Sequence, residues 1–219
     1  MLKENKRTAR AAGVWWILFI IIGSFSYLVV DEKLLVPGDA AATLGNIDSN
    51  TALFLAGIAV FLVGYACFIL LARALCKLFK TVDFRLTRWM MGFVIAGTAL
   101  VLIGKFAEIA AVKAGSMEDA ASLFNLRVNL EMASELFWGL WLIPLVALIF
   151  KSNLIPKVIG ALALIAVAYH LAVFVGFFIG ATDVSAQPVF AALGMIGELA
   201  IVLWLLLKGV KAQGCRPVI

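Results

Sequence analysis

Charged side chains are scarce in this sequence. Asp, Glu, Lys and Arg make up 14% of the 219 residues, whereas 64% are hydrophobic. Soluble domains carry about 25% charged and about 45–50% apolar residues. A chain of this length cannot bury so much apolar surface in a single core. The composition therefore excludes an ordinary soluble domain and indicates that lipid is the solvent for most of the chain.

Cysteine and histidine are also rare. The three cysteines, Cys67, Cys76 and Cys215, fall within or near the predicted cytoplasmic ends of helices. An odd number in that compartment predicts reduced thiols and no disulfide framework. The single histidine, His170, belongs to no HExxH or ExxH pattern, and no serine or cysteine nucleophile motif occurs. Motifs therefore assign no catalytic or metal-binding residue, and they leave any cofactor unknown.

Long apolar runs dominate what is present. A spanning helix needs about 20 predominantly apolar residues, and a continuous apolar run can cross lipid only as a helix, which satisfies its own backbone hydrogen bonds. The sequence thus predicts an all-α polytopic membrane bundle of six transmembrane helices, forming one domain over residues 1–219. The predicted spans are roughly 12–30, 51–75, 89–112, 121–149, 157–180 and 188–207.

The longest connection follows the first predicted span. Its turn, Val36-Pro37-Gly38-Asp39, precedes three alanines. Asp39 has the side chain of a helix N-cap, and Pro-Gly marks a turn. We expect a short helix that lies at the outer interface of the membrane. The tryptophans near helix ends, Trp16 among them, are expected to anchor the bundle at the interfaces.

The basic residues predict the orientation. With both termini in the cytoplasm, only Lys33 and Lys113 lie in outer connections, and the reverse orientation would invert this bias. The net charge of +5 therefore reflects membrane orientation and not nucleic-acid binding. These features predict an inner-membrane location. The basic residues on the predicted cytoplasmic side are Lys3, Lys6, Arg7, Arg10, Arg73, Lys77, Lys80, Arg85, Arg88, Lys151, Lys157, Lys208, Lys211 and Arg216.

Four stretches along the chain carry a family resemblance: residues 36–43 with 46–47, 137–140, 151–152 with 155–160, and 197–199 with 203–206 and 208–210. Taken in order, they resemble a bacterial membrane-protein family catalogued as domain of unknown function forty-three eighty-six. The resemblance implies a multi-helix bacterial membrane protein and supplies no activity. The sequence departs from the family pattern at Trp141, where relatives often carry histidine, and at His170, where an apolar residue is expected.

Ionisable side chains inside the predicted spans are the candidates for a site. A charge near the bilayer centre costs about 2.5–3.5 kcal/mol on insertion scales, so such residues usually face the bundle interior in pairs. Counting from the turn between spans three and four, at about 1.5 Å per residue, places Glu108 level with Arg127 and Lys105 level with Glu131. We expect these two pairs in contact. The full set is Lys105, Glu108, Arg127, Glu131, Glu135, His170 and Glu198.

Two interpretations of this set stay open. Lys105, Glu108, Arg127 and Glu131 are candidates for structural ion pairs that hold spans three and four together. After those pairs form, Glu135 and Glu198 have no partner except His170. Ligand-binding or proton-binding candidates are therefore Glu131, Glu135, His170 and Glu198, in a polar interior that faces outward.

Three functions are compatible with the sequence. The first, which we favour, is binding or transport of a small ligand, a lipid or protons by the polar interior, in a monomer or a homo-oligomer. The second is an intramembrane enzyme, with or without a metal ion, that uses carboxylates and imidazole. The third is a structural or regulatory membrane component that contacts a partner through the basic loop at residues 77–88.

Overall fold

The computed structural model describes residues 2–181 and 188–211, and its regular structure is entirely helical there. Cys215 and Arg216 lie outside the described residues. The α-helices are α1 (Leu2–Phe25), α2 (Glu32–Leu34), α3 (Ala40–Ser49), α4 (Thr51–Phe79), α5 (Phe84–Ala111), α6 (Met117–Ser152), α7 (Lys157–Phe178) and α8 (Pro188–Leu207).

Helix α1 does not end at Phe25 but continues through a π-helical segment, Ser26–Asp31, into the single turn of α2. The backbone N–H of Glu32 donates to the carbonyl of Tyr27, five residues earlier. At its other end, α1 begins ten residues before the predicted start at residue 12. The lysines, arginines and alanines of that flank are strong helix formers, so the chain enters the apolar run already helical.

Five helical stretches are long and apolar enough to cross a membrane: Lys3–Leu34, Thr51–Phe79, Phe84–Ala111, Met117–Ser152 and Lys157–Phe178. Each covers or closely matches a predicted span. The last helix, α8, begins at Pro188 as predicted, and its Gly194–Leu207 part is a shorter apolar helix. The chain therefore has the helices of a membrane-embedded protein.

The long helices close into a ring. Along the ring α1 is followed by α4, α5, α6, α7 and α8, and α8 packs back against α1. One end of the bundle, here called the basic end, carries the α4–α5 and α6–α7 connections with Lys80, Arg85 and Lys157. The opposite end, called the α5–α6 end, carries the connection between α5 and α6 together with α3.

The two halves of the bundle are packed differently. Towards the basic end, aromatic and aliphatic side chains fill the interior without exposure: Trp16 and Leu75 are 0% exposed and Trp141 is 2% exposed. The ring centroids of Trp16 and Trp141 lie 5.3 Å apart, and Phe68 is edge-on to Trp141 at 5.3 Å. This continuous apolar core closes the basic half, whereas the buried charged residues Lys105 and Glu108 lie in the other half.

The short helix α3 forms where the sequence predicts it. The side chain of Asp39 caps it by accepting a hydrogen bond from the backbone N–H of Ala42 at 2.8 Å. Ile47 of α3 is buried in a small apolar cluster with Val30, Leu34 and Phe54. Helix α3 is thus fastened to the ends of the first and second long helices.

Candidate functional site

Five ionisable side chains from three helical segments meet in the α5–α6 half of the bundle, and we call them the charged cluster. Glu108 of α5 is its centre and only 3% exposed. Lys105 Nζ donates to both carboxylate oxygens of Glu108, at 2.9 and 2.8 Å. Arg127 Nε of α6 donates to Glu108 Oε2 at 2.6 Å. The members are Asp31, Lys105, Glu108, Arg127 and Glu131.

Arg127 distributes its remaining nitrogens over two more carboxylates. Its Nη2 donates to Asp31 Oδ2 at 3.0 Å, and its Nη1 lies 3.3 Å from Glu131 Oε2. Each guanidinium nitrogen therefore faces a different carboxylate. The predicted contact between Glu108 and Arg127 is present.

The predicted contact between Lys105 and Glu131 is not formed; this pairing was wrong. Lys105 instead binds Glu108 three residues along its own helix, and Glu131 approaches Arg127 four residues back along α6. Depth counting gives only the level of a residue along the helix axis. It ignores the choice between a partner across the interface and one on the next turn of the same helix. Both residues nevertheless line one cavity.

Asp31 is a member of the cluster that sequence reasoning missed. The prediction ended the first span at residue 30 and treated Asp31 as the start of the outer connection. The π-helical segment carries the helix past that point and turns Asp31 towards Arg127. The sequence contained a clue to Asp31. Spans three and four carry three predicted carboxylates and two cations, and buried charges usually have partners, so acidic residues at the same depth in the other spans were further candidates.

A second polar group lies deeper in the bundle and consists of Glu135, His170 and Glu198, which we call the triad. His170 Nδ1 of α7 lies 2.7 Å from Glu135 Oε2 of α6, and its Nε2 lies 3.2 Å from Glu198 Oε1 of α8. The side chains are 16%, 19% and 21% exposed for His170, Glu135 and Glu198. The structure thus places the histidine between the two glutamates that the sequence leaves without partners.

Trp16 completes the surroundings of the triad and corrects another expectation. Its Nε1–H donates to Glu198 Oε2 at 3.3 Å. Because Trp16 is fully buried against Trp141, it does not anchor the bundle at a membrane interface. An indole that needs a partner for its N–H when buried is well matched to a carboxylate in the same apolar core.

Hydrogen counting restricts the protonation of the triad. Each close approach between a ring nitrogen and a carboxylate oxygen requires one hydrogen, and a neutral imidazole carries only one N–H. Two hydrogens must therefore lie between the three side chains. Either an imidazolium between two carboxylates or a neutral imidazole between a carboxylic acid and a carboxylate supplies them.

Two cavities adjoin these groups. One, with a volume of about 130 Å³, borders the charged cluster and is lined by Asp31, Lys105, Arg127 and Glu131 together with Phe61 and Tyr65. The other, of about 90 Å³, borders the triad and is lined by Tyr169, His170 and Glu198 with apolar neighbours from α1 and α8. Asp31 and Glu131 of the charged cluster and Glu198 of the triad therefore border space inside the bundle.

Among residues 2–181 and 188–211, no group of three or more His, Cys, Asp or Glu side chains has the arrangement of a metal site. In the same part of the chain Cys67 and Cys76 are free thiols, and Cys76 Sγ donates to the carbonyl of Thr87 at 3.3 Å. The metal-dependent enzyme hypothesis therefore finds no ligand set in the described structure.

These features define a class: a helical, membrane-embedded protein whose interior combines an apolar half with a buried ionisable half. The chain belongs to the family described as Domain of unknown function (DUF4386), which it matches over residues 11–209. The family resemblance inferred from the sequence is thereby confirmed. No curated protein and no solved structure matches the chain.

Proposed function

We propose that this protein binds protons and a small ligand in its polar interior, as a six-span membrane protein with that interior facing outward. The observation that carries the proposal is the triad, in which one histidine bridges two partly buried glutamates from two other helices. Groups that exchange protons in the middle of a membrane are costly to bury, and they are typical of proton pathways and coupled binding sites.

The charge balance of the triad supports reversible proton binding. With its two bridging hydrogens the triad carries one net negative charge, so one further proton makes it neutral. Within residues 2–181 and 188–211, Trp16 alone adds a hydrogen bond from outside the triad, at Glu198 Oε2. No lysine or arginine lies within ion-pair distance of Glu135 or Glu198 among the described residues. Proton uptake is therefore the available way to neutralise the group.

The packing supports access from one side only. The basic end is closed by a core that includes Leu75, Phe79 and Ile149, all 0% exposed. The charged cluster and its cavity lie on the way to the α5–α6 end. With the basic residues in the cytoplasm, this proposal places both termini inside, α8 as a sixth span, α3 at the outer interface, and the chain in a bacterial inner membrane.

The charged cluster fits a supporting structural role in this scheme. Glu108 joins α5 to α6 through Arg127, and Asp31 adds the first long helix. Because the cluster fixes three helices at the level of the cavity, it shapes the binding space. A partner docking on the basic loop at residues 77–88, a homo-oligomer and an enzymatic role remain hypotheses with no observation in their favour.

The single histidine makes the proposal directly measurable. We expect ¹⁵N spectra of histidine-labelled protein in lipid nanodiscs, with ¹³C-labelled glutamate carboxyl groups, to show two hydrogens shared among the triad at neutral pH. Glu198→Gln and Glu135→Gln should each change the shift of the facing ring nitrogen. Glu118→Gln, an exposed position on α6, is the matched control and should change neither.

A neutral imidazole together with two ionised carboxylates would overturn the proposal. So would a His170 spectrum that is unaltered by both glutamine variants. A titration of the same samples, in which a third proton enters as the pH falls, gives the positive result expected of an exchangeable site.

A further inference from the structure

The cavity beside the charged cluster has a composition that selects its ligand. Its lining combines carboxylates with aromatic rings: Tyr65 and Phe61 from α4 and Phe19 and Tyr27 from the first helix. Its volume of about 130 Å³ is close to that of a cavity of about 150 Å³ that holds one benzene molecule. A ligand of about six heavy atoms therefore fits.

The cationic donors of this lining already bind carboxylates. Lys105 Nζ donates to both oxygens of Glu108, and the nitrogens of Arg127 face Glu108, Asp31 and Glu131. An anionic ligand would have to displace these bonds. The lining carries two cations and two carboxylates, Asp31 and Glu131. Glu108, bound behind Lys105 and Arg127, gives the charged cluster as a whole one carboxylate more than it has cations, so its electrostatics favour a cation.

Glu131 is the carboxylate that is left open. Its side chain is 44% exposed, compared with 17% for Asp31 and 3% for Glu108. Arg127 approaches only its Oε2, at 3.3 Å. Within the described residues no donor is within hydrogen-bond distance of Glu131 Oε1, which is therefore available to a positively charged ligand.

The aromatic rings add a second, independent preference for cations. Lys105 Nζ already lies 4.9 Å from the centroid of the Phe61 ring, so a cation is accommodated against this wall. Cations bind to ring faces within about 6 Å of the centroid, and they bind more strongly where the site is desolvated. Tyr65 and Phe19 carry the same kind of surface on the cavity wall, with ring centroids 5.7 Å apart.

The π-helical segment supports the assignment, because it forms one wall of this cavity. Ser26, Tyr27 and Asp31 all belong to the segment and all line the cavity. Single π-helical turns inside longer helices occur frequently at functional sites. The irregular turn is thus located where a ligand would bind.

We propose that this cavity is a binding site for a small organic ammonium ion, with Glu131 as counter-ion and Phe19, Phe61 and Tyr65 as the aromatic wall. The inference rests on the proposed function, since it names the ligand class of the same polar interior. It makes Glu131 the residue that receives the ligand and leaves Glu108 and Arg127 as positioning residues.

Binding is tested with the full-length protein in nanodiscs by saturation-transfer NMR, using tetramethylammonium as the probe. tert-Butanol, which has the same number of heavy atoms and no charge, and pivalate, which is anionic, are the comparison ligands. We expect saturable binding of tetramethylammonium alone. Glu131→Gln should weaken it about tenfold or more, corresponding to about 1.4 kcal/mol, and Glu32→Gln, an exposed neighbour outside the cavity, should not.

A second variant fills the cavity without changing any charge. Gly23 lines the cavity, and a Cβ at this position would contact nothing within 4 Å. Gly23→Leu should therefore fold and exclude tetramethylammonium. Equal binding of tert-butanol, or tetramethylammonium binding that survives both Glu131→Gln and Gly23→Leu, would overturn the inference. The His170 spectrum of the same samples separates this failure from a failure of the proposed proton site.

Discussion

Neutralising Glu108 should destabilise the protein more than neutralising any other carboxylate of the charged cluster. Glu108 is 3% exposed and receives hydrogen bonds from Lys105 at 2.9 and 2.8 Å and from Arg127 at 2.6 Å. Glu108→Gln keeps the shape of the side chain and leaves two cations facing an amide. Breaking a buried ion pair from one side costs about 3–5 kcal/mol, and we expect a loss in the free energy of unfolding within that range.

The exposed end of the same cluster supplies the control. Glu131 is 44% exposed and lies 3.3 Å from Arg127. Neutralising it leaves Arg127 with Glu108 and Asp31 as partners, so no buried charge loses its last partner, and the loss should be about 1 kcal/mol or less. Reversible unfolding in mixed micelles, followed by tryptophan fluorescence and helical circular dichroism, measures both variants in one lipid composition. The expected order is a large loss for Glu108→Gln and a small one for Glu131→Gln.

A double variant tests the stated cause. In Glu108→Gln with Lys105→Met, one of the two cations left behind is removed together with the carboxylate. The double variant should therefore recover part of the stability that Glu108→Gln loses. In a double-mutant cycle, the double variant should then lose less stability than the sum of the losses of the two single variants. Interhelical hydrogen bonds without charge contribute only about 0.6 kcal/mol on average in a membrane protein. A loss of that size for Glu108→Gln, without recovery in the double variant, would refute the reasoning.

Three further predictions concern other parts of the bundle. Asp83 caps α5, and the hydrogen bond from Lys151 lowers the pKa of the Asp83 carboxyl. The cap should therefore be fully present above about pH 4 and should be lost as the pH falls through the lowered pKa. Amide exchange in the first turn of α5 measures this loss. Gly197→Ala should lower the free energy of unfolding by about 1–3 kcal/mol, because the new Cβ would lie 2.5 Å from a backbone oxygen of α7. At Gly92 a Cβ would contact nothing within 4 Å, so Gly92→Ala should be neutral or should stabilise α5 by up to about 1 kcal/mol. Trp16→Phe should keep the fold and shift the ¹⁵N signal of the histidine, because it removes the indole donor to the triad.

Each of these has a clear contrary result. Amide protection at the start of α5 that is unchanged down to pH 2 would contradict the cap prediction. Equal stabilities of the two glycine variants would contradict the close approach of α7 and α8. A histidine spectrum identical in wild type and Trp16→Phe would show that the indole does not influence the triad.

The sequence predicts the long helices well, because an apolar run of spanning length has one low-energy form in lipid. The start of α4 at Thr51, that of α7 at Lys157 and that of α8 at Pro188 agree with the predicted spans. Agreement is poorer at the first helix, where the apolar run does not determine the ends. There the helix extends into a polar flank before it and through a π-helical turn after it.

The sequence predicts the depth of the site residues along the helix axes, but it does not predict all of their partners. Depth along the helices brings His170 and Glu198 together and matches Glu108 with Arg127. It does not determine the rotation of each helix about its axis, so it assigns Lys105 the wrong partner. The contact of Trp16 with the triad was not predicted for a related reason. Tryptophan is common at membrane interfaces, and the burial of Trp16 depends on the packing of α1 against α6.

The π-helical segment makes the alignment of Asp31 with Arg127 dependent on chain length and not only on residue type. Each residue of an α-helix turns the chain by about 100°, because one turn takes about 3.6 residues. The i→i+5 bonds of the π-helical segment take up more residues per turn than an α-helix does. If the same residues were wound as ordinary α-helix, the Asp31 carboxylate would swing around the helix axis, away from the Nη2 that it now contacts at 3.0 Å. Inserting or deleting one residue between Ser26 and Asp31 is therefore a different kind of change from any substitution there, because it alters the number of residues that the wider turn must take up.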